Sequence, residues 1–223
     1  MVEAIHIQGL TKTYRMGRVD VPALSGVGLT IRHGEFVAIM GPSGSGKSTL
    51  LNLIGMLDTP TTGKVFIDGR DVSSMGEASR ADFRLRRIGF VFQFFNLFLE
   101  LTALENVMLP LMMAGKDGPA CREKAAALLV TVGLEDRLHH RPSELSGGQQ
   151  QRATIARALM NDPALVLADE PTANLDSKTA TAVLELLRKL NIELGQTIVM
   201  VTHEDDWGAR ADRIIRLRDG KVI

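Results

Sequence analysis

The sequence predicts an α/β fold, a parallel sheet with crossover helices that also carries a helical insert, and three observations lead there. Short apolar runs at residues 35–40, 164–168 and 197–201 have the length and continuity of strands buried on both faces. Helix-forming stretches at 148–160 and 177–194 flank them, long enough to return the chain to the start of a parallel neighbour. Between residues 102 and 138 the strand pattern stops and Ala, Leu and Met dominate.

The elements come in this order along the chain. Residues 2–8 and 27–31 alternate loosely between apolar and polar, so the N-terminal part is expected to form an antiparallel β subdomain. A buried strand at 35–40 runs into a glycine-rich stretch at 41–46, and a helix is expected over 48–57. Thr61-Thr62-Gly63 is turn material, 64–67 is a strand, and Asp68-Gly69 signals a hairpin. After a strand at 88–92 the inserted α-helical subdomain is expected at about 94–145, with breaks at Pro110, 115–119 and Gly133. The chain closes on a strand at 213–218 and an Asp219-Gly220 turn. With no internal repeat and no low-complexity linker, residues 1–223 are expected to form a single domain.

Composition narrows the function. The chain has 223 residues, 45% of them hydrophobic, enough to bury a sizeable core. Lys plus Arg number 26 and Asp plus Glu number 26, and this balance argues against nucleic acid or an anionic membrane surface as a partner. One cysteine, Cys121, excludes an internal disulfide and a Cys-based zinc finger. No apolar run reaches the roughly 18 residues of a membrane span, and the N-terminus lacks a signal-peptide pattern. A cytoplasmic location is expected.

The chemistry concentrates in two places. Gly41-Pro42-Ser43-Gly44-Ser45-Gly46-Lys47-Ser48 fits the pattern G-x-x-x-x-G-K-[ST] between an expected strand and an expected helix that includes Thr49. Glycines let successive backbone N–H groups turn toward one anion, and the helix N-terminus adds its dipole. Lys47 supplies a point charge for the β- and γ-phosphates, and the Ser48 hydroxyl can ligate Mg²⁺. A chance match in a chain of this length is roughly one in a hundred. The second place is the apolar run 164–168, which ends in Asp169 and Glu170. The carboxyl ends of parallel strands line the ligand crevice, so Asp169 is placed to hold Mg²⁺ and Glu170 to deprotonate an attacking water. Together the two motifs point to nucleoside triphosphate binding with Glu170 suited to water activation, and the family resemblance that follows implies a P-loop nucleoside triphosphatase with a RecA-like core.

Leu145-Ser146-Gly147-Gly148-Gln149-Gln150-Gln151-Arg152 resembles the signature sequence of ATP-binding cassette (ABC) ATPases, and it precedes the Asp169-Glu170 strand as it does in that family. Ser146 and two glycines opening a helix make a second anion-receptive N-terminus. The resemblance implies that Ser146, Gly147, Gly148 and Gln149 face the γ-phosphate held by the opposite subunit of a head-to-tail homodimer. Further residues match family positions. Gln93 resembles the Q-loop glutamine, which senses Mg²⁺ and the water and whose loop meets the membrane partner. Asn174-Leu175-Asp176 resembles the D-loop, with Asp176 near the dimer interface. His203 resembles the switch histidine that contacts the γ-phosphate, and Tyr14 the aromatic that stacks on adenine. The implied cofactors are ATP and Mg²⁺, and the implied partner is a separate integral membrane permease.

The stretches 52–55, 92–94, 102–107 and Gln149 to Gln151 look like the lipoprotein-releasing and macrolide-exporter branch. Two departures stand out: residues 97–100 lack a proline common after the Q-loop, and Ala173 stands where glycine is common. The alternative is a soluble, non-transport ABC ATPase of the DNA-repair or translation type. Those proteins usually carry two cassettes or large insertions, and the neutral charge gives no nucleic-acid footprint. A kinase explains neither Ser146 to Gly148 nor His203. Met108, Met112 and Met113 are expected to pack in the core rather than face a partner. His139-His140 is expected in a solvated loop, Arg84, Arg86 and Arg87 at a solvated helix end, and Cys121 as just a small buried or surface residue.

Overall fold

A computed structural model describes residues 3–204 and 208–223, and within them two sheets share the core. Val2, the first residue of the expected N-terminal strand, lies outside the described residues. β1 (Glu3–Met16) and β2 (Val19–Arg32) pair antiparallel, with Tyr14 opposite Val21 and Met16 opposite Val19. Each strand is 14 residues long, two to three times the stretch that alternation marks. The register shifts between Ile7 and Leu10, again by Lys12 and again by Thr13. Each bulge resets the period-two pattern, which hides the middle of the hairpin from a sequence reading. β4 (Thr62–Ile67) pairs with β1 and β5 (Arg70–Asp71) lies at the edge, giving the order β2-β1-β4-β5.

The second sheet has the order β10-β9-β3-β8-β7-β6. β3 (Phe36–Met40), β6 (Ile88–Val91), β7 (Leu165–Asp169), β8 (Thr197–Val201) and β9 (Arg213–Arg218) run parallel, and β10 (Lys221–Val222) is antiparallel to β9. The continuous apolar runs now have a cause. Phe36, Ala38 and Met40 point into the cluster on one face, and Val37 and Ile39 into the cluster on the other. Each fully buried Val, Leu or Ile contributes ~1.5–3 kcal/mol, so slipping such a strand by one residue is costly. Helix α1 (Lys47–Ile54) and the inner side of the hairpin cover one face. The other meets α3 (Ala103–Met113), α4 (Pro119–Thr131), α5 (Gly147–Leu159) and α6 (Ser177–Leu194).

Several expectations change. Pro110 does not break the insert but sits inside α3. That helix starts from a full Thr102–Glu105 capping box and buries Leu104, Asn106 and Val107, which outweighs the missing N–H. α1 stops at Ile54 instead of continuing to residue 57. Met56 turns the chain at φ 56, and Phe90 fills the space beside Gly55. Helix α2 (Glu77–Arg87) is mostly charged with few apolar residues to mark it, and only Arg80 and Phe83 are buried on it. Its end is not uniformly solvated: Arg84 Nη1 donates to the Met56 carbonyl at 2.7 Å, while Arg86 and Arg87 pair with Asp82 and Asp68. Met108 does pack at the core edge, but Met112 and Met113 are 44% and 74% exposed, past the buried stretch Ala103 to Val107 of α3. Cys121 is buried, and that burial raises its thiol pKa. His140 stays in a loop, its carbonyl accepting from the Ala103 N–H at 2.8 Å.

Candidate active site

Parallel strands in register bring their carboxyl ends to one edge. Ile39 pairs with Val201, and Asp169 with Val201 from the other side. The segments just past these strands are therefore gathered: the Gly41 loop after β3, Glu170 after β7, and Thr202-His203 after β8. A cavity of about 490 Å³ forms there, lined by Met40, Gly41, Pro42, Ser43, Lys47, Glu170, His203 and Arg216.

The loop is shaped for an anion. Gly46 takes φ 100 before α1, and a side chain there would meet the Ala23 carbonyl at 2.6 Å, so only glycine fits. No side chain caps α1, and a helix start leaves its first N–H groups without intrahelical acceptors. Lys47 Nζ donates to the carbonyls of Gly41 and Pro42 at 2.9 and 3.0 Å, which folds the ammonium back over the loop. The Ser45 hydroxyl, 3% exposed, has no protein partner.

The acidic pair is split by its surroundings. Burial, with the neighbouring Glu170 charge, pushes the Asp169 carboxyl above its ordinary range, opposed by the Ser48 hydroxyl bonded to it and by Lys47. Its Oδ1 is buried without a partner. An orphaned carboxylate oxygen beside a hydroxyl is an oxygen donor set that fits a hard divalent cation such as Mg²⁺. Glu170 sits at φ 46, its N–H donating to the Val201 carbonyl at 3.0 Å. His203 Nδ1 lies 3.0 and 2.9 Å from the two Glu170 carboxylate oxygens and donates to them. That bond, then the carboxylate's charge, raises the imidazole pKa.

The remaining expected residues lie away from this cavity wall. Gln93 follows β6, and its carbonyl accepts from Asn174 Nδ2 at 3.0 Å, which joins the two loops. Ser146 caps α5 in a closed box: its Oγ accepts from the Gln149 N–H, and Gln149 Oε1 accepts from the Ser146 N–H. Gly147 packs near Leu175 and Phe95, and Gly148 against Thr179. Asp176 caps α6, accepting from the Thr179 N–H and hydroxyl at 3.0 and 2.6 Å, bonds that hold its carboxyl below the ordinary range. Tyr14 stands on β1 beside α1, its hydroxyl donating to Asp58 at 2.9 Å. Thus Gly41, Pro42, Ser43, Lys47, Glu170 and His203 converge with Ser48 and Asp169, while Gly44, Ser45, Gly46 and Thr49 shape the loop and helix behind them.

Two further residues, neither of them expected in a site role, contribute. Arg216 enters the cavity because it pairs with Met40 across β9 and β3. Gln151, fully buried, donates to the carbonyls of Phe92 and Pro171 at 3.3 and 2.7 Å and so ties α5 to both catalytic-edge loops.

Comparison with known proteins agrees with this geometry. The ABC transporter family profile matches residues 24–173. The chain is 54% identical over 222 residues to an ABC transporter ATP-binding protein of Thermotoga maritima, covering 100% of this chain and 94% of that one. It is 48% identical to the lipoprotein-releasing system ATP-binding protein LolD of Xanthomonas campestris, covering 98% and 91%. Against the macrolide export ATP-binding/permease protein MacB of Syntrophobacter fumaroxidans it is 51% identical over 99% of this chain, yet it spans only 31% of that larger protein. A dimeric post-hydrolysis ATP-binding cassette structure, bound to ADP and Pi, superposes with a TM-score of 0.89 at 49% identity, covering 98% of this chain and 96% of that one. On the family match and on near-full-length relatives of this identity, the chain belongs to the ABC transporter family.

Proposed function

We propose that the chain is the ATP-binding subunit of a transporter: it binds and hydrolyses ATP as a head-to-tail homodimer and drives a separate membrane permease of the lipoprotein-releasing or macrolide- and peptide-exporting kind. The observation that carries this is the meeting of Lys47, Glu170 and His203 around one cavity. Gly41 to Thr49 would hold the phosphates, Tyr14 would take the adenine, and Ser48, Asp169 and Gln93 would hold Mg²⁺, which would neutralise charge on the β- and γ-phosphates. Glu170 accepts a proton from the attacking water as its oxygen bonds to the γ-phosphorus and the bond to the bridging oxygen breaks. His203 leaves Glu170 and turns to the γ-phosphate, which frees the carboxylate for that proton. Ser146 to Gln149 and Asp176 of the second copy close the site.

Residues 1–223 act as one domain, with the segment at about 94–145 as the inserted helical part. A second apolar groove of about 440 Å³, with Leu57, Leu85, Phe90, Phe92, Pro110 and Met113 in its wall, supports docking of the permease beside that insert. Exposed Phe94, Phe98 and Leu99 lie on the loop that leads from Gln93 toward it. No helix among the described residues is long and apolar enough to cross a membrane. Attachment at the cytoplasmic face runs, in this proposal, through the permease. Nucleic acid has no part in this reading. The test is Lys47→Ala, which is expected to weaken ATP binding by about 30-fold or more, the equivalent of ~2 kcal/mol of lost charge pairing. Unchanged affinity by calorimetry would refute the cradle.

A further inference from the structure

The loop after α1 does more than close the helix. Asp58 stands at its centre, with its side chain 28% exposed. The carboxylate accepts from Lys12 Nζ at 2.7 Å through Oδ1 and from the Tyr14 hydroxyl at 2.9 Å through Oδ2. Lys12 also donates to the Thr59 carbonyl at 2.8 Å and is only 11% exposed. Its ammonium rests 4.8 Å from the centre of the Tyr14 ring. Lys12 reaches that place because the register of β1 shifts on both sides of it.

Asp58 is itself held from behind. Arg80 on α2, buried, donates to the carbonyls of Met56 and Asp58 at 2.6 and 3.0 Å, and Arg84 adds a second bond to Met56. The Thr59 N–H closes on Asp58 Oδ1 at 2.6 Å. Burial works against the charge on Asp58, but the bonds from Lys12, Thr59 and Tyr14 outweigh it and keep the carboxyl ionised below its usual range. A half-buried tyrosine is thereby fixed at its hydroxyl end and backed on one face by a cation.

We propose that Asp58, with Lys12, is a positioning residue for nucleotide binding: it locks the Tyr14 ring in the orientation that stacks on the base, so that no side-chain freedom is lost when the base arrives. This rests on the reading of Tyr14 as the adenine platform. Freezing one such side chain is worth about threefold to tenfold in affinity, and the gain concerns only ligands that carry a base.

The experiment measures dissociation constants of the full chain for ATP and for inorganic tripolyphosphate, each with Mg²⁺, by calorimetry. Tyr14→Phe keeps the ring and removes the hydroxyl's bonds with Asp58 and Thr49, and it is expected to weaken ATP about threefold to tenfold with tripolyphosphate unchanged. Asp58→Ala should match it, the double variant should be no worse than either single one, and Asp58→Asn, which keeps an acceptor, should recover most of the loss. Additive effects of Tyr14→Phe and Asp58→Ala would overturn the proposal, as would equal weakening of both ligands or ATP affinity unchanged in Tyr14→Phe. If Asp58→Ala fails to fold, Tyr14→Phe and Asp58→Asn decide alone. Tyr14→Ala separates the two levels: no loss of ATP affinity there sinks the adenine reading itself, whereas a loss there with none in Tyr14→Phe sinks only the positioning role.

Discussion

Glu170 occupies a left-handed backbone angle, φ 46, that costs a non-glycine residue about 1–2 kcal/mol. The bond from its N–H to the Val201 carbonyl holds it there and swings the carboxylate away from Asp169, toward His203. Strain of this kind persists where the surroundings over-determine it, commonly at functional sites. The pair it makes with His203 predicts a titration. The imidazole pKa is raised by the bond to Glu170 and then by its charge, so the protonated pair is fully formed below the ordinary value near 6.5 and is lost as pH rises through the raised one. In the nucleotide-free chain, Glu170→Gln should bring the His203 pKa, followed by the Hε1 proton signal in NMR, back down toward that value. A His203 titration identical in the variant would show that the pairing is absent in solution. Lys47, Asp169, Glu170 and His203 were legible because each ends or follows an apolar strand in a recognisable pattern. Arg216 was not, since a lone arginine on a terminal strand gains meaning only when Met40 pairs beside it.

At the scale of elements, α5 and α6 meet through their first turns. A Cβ at Gly148 would lie 2.2 Å from the Thr179 methyl, and that threonine cannot rotate away without breaking its hydroxyl bond to Asp176. Gly148→Ala should therefore destabilise the chain by ~1–3 kcal/mol despite alanine's better helix propensity. Thermal unfolding should show a fall of several degrees, recovered when Thr179→Ser removes the methyl and keeps the cap. No recovery would place the strain elsewhere. The signature glycine thus has a packing duty within its own chain, beside any duty toward a partner. Elements with clean apolar periodicity, such as β3, β7, β8 and α6, were legible to within a residue or two. α2 was not, because its stability comes from Arg80 and Arg84 bonding the loop after α1 rather than from an apolar stripe. The β1–β2 hairpin was legible only at its ends, since its bulges break the alternation.

Among the described residues the glycine-rich helix starts of α1 and α5 stand apart, and only that of α1 borders the cavity. α1 opens directly behind it, whereas Ser146 and Asp176 cap their helices outside its wall. In the head-to-tail arrangement proposed above a second copy would supply the missing half, and a solved relative is dimeric with ADP and Pi bound. Glu170→Gln should lower phosphate release on the order of 10²- to 10⁴-fold and accumulate an ATP-dependent dimer by size-exclusion chromatography. A variant that stays monomeric at saturating ATP would sink the shared-site reading.

Taken by itself, the sequence determined what is local and periodic. The phosphate loop, the acids at the end of β7 and the signature segment are contiguous stretches whose chemistry needs only their own residues in order. Tertiary structure decided everything that depends on neighbours distant along the chain: the pairing of His203 with Glu170, the buried Gln151 that fastens two loops, the solvent-facing Met112 and Met113, and the Asp58 clamp on Tyr14. The physical reason is that a backbone motif carries its hydrogen-bond donors with it, whereas a side chain's partner is fixed only when strand register and helix packing bring remote atoms within about 3 Å.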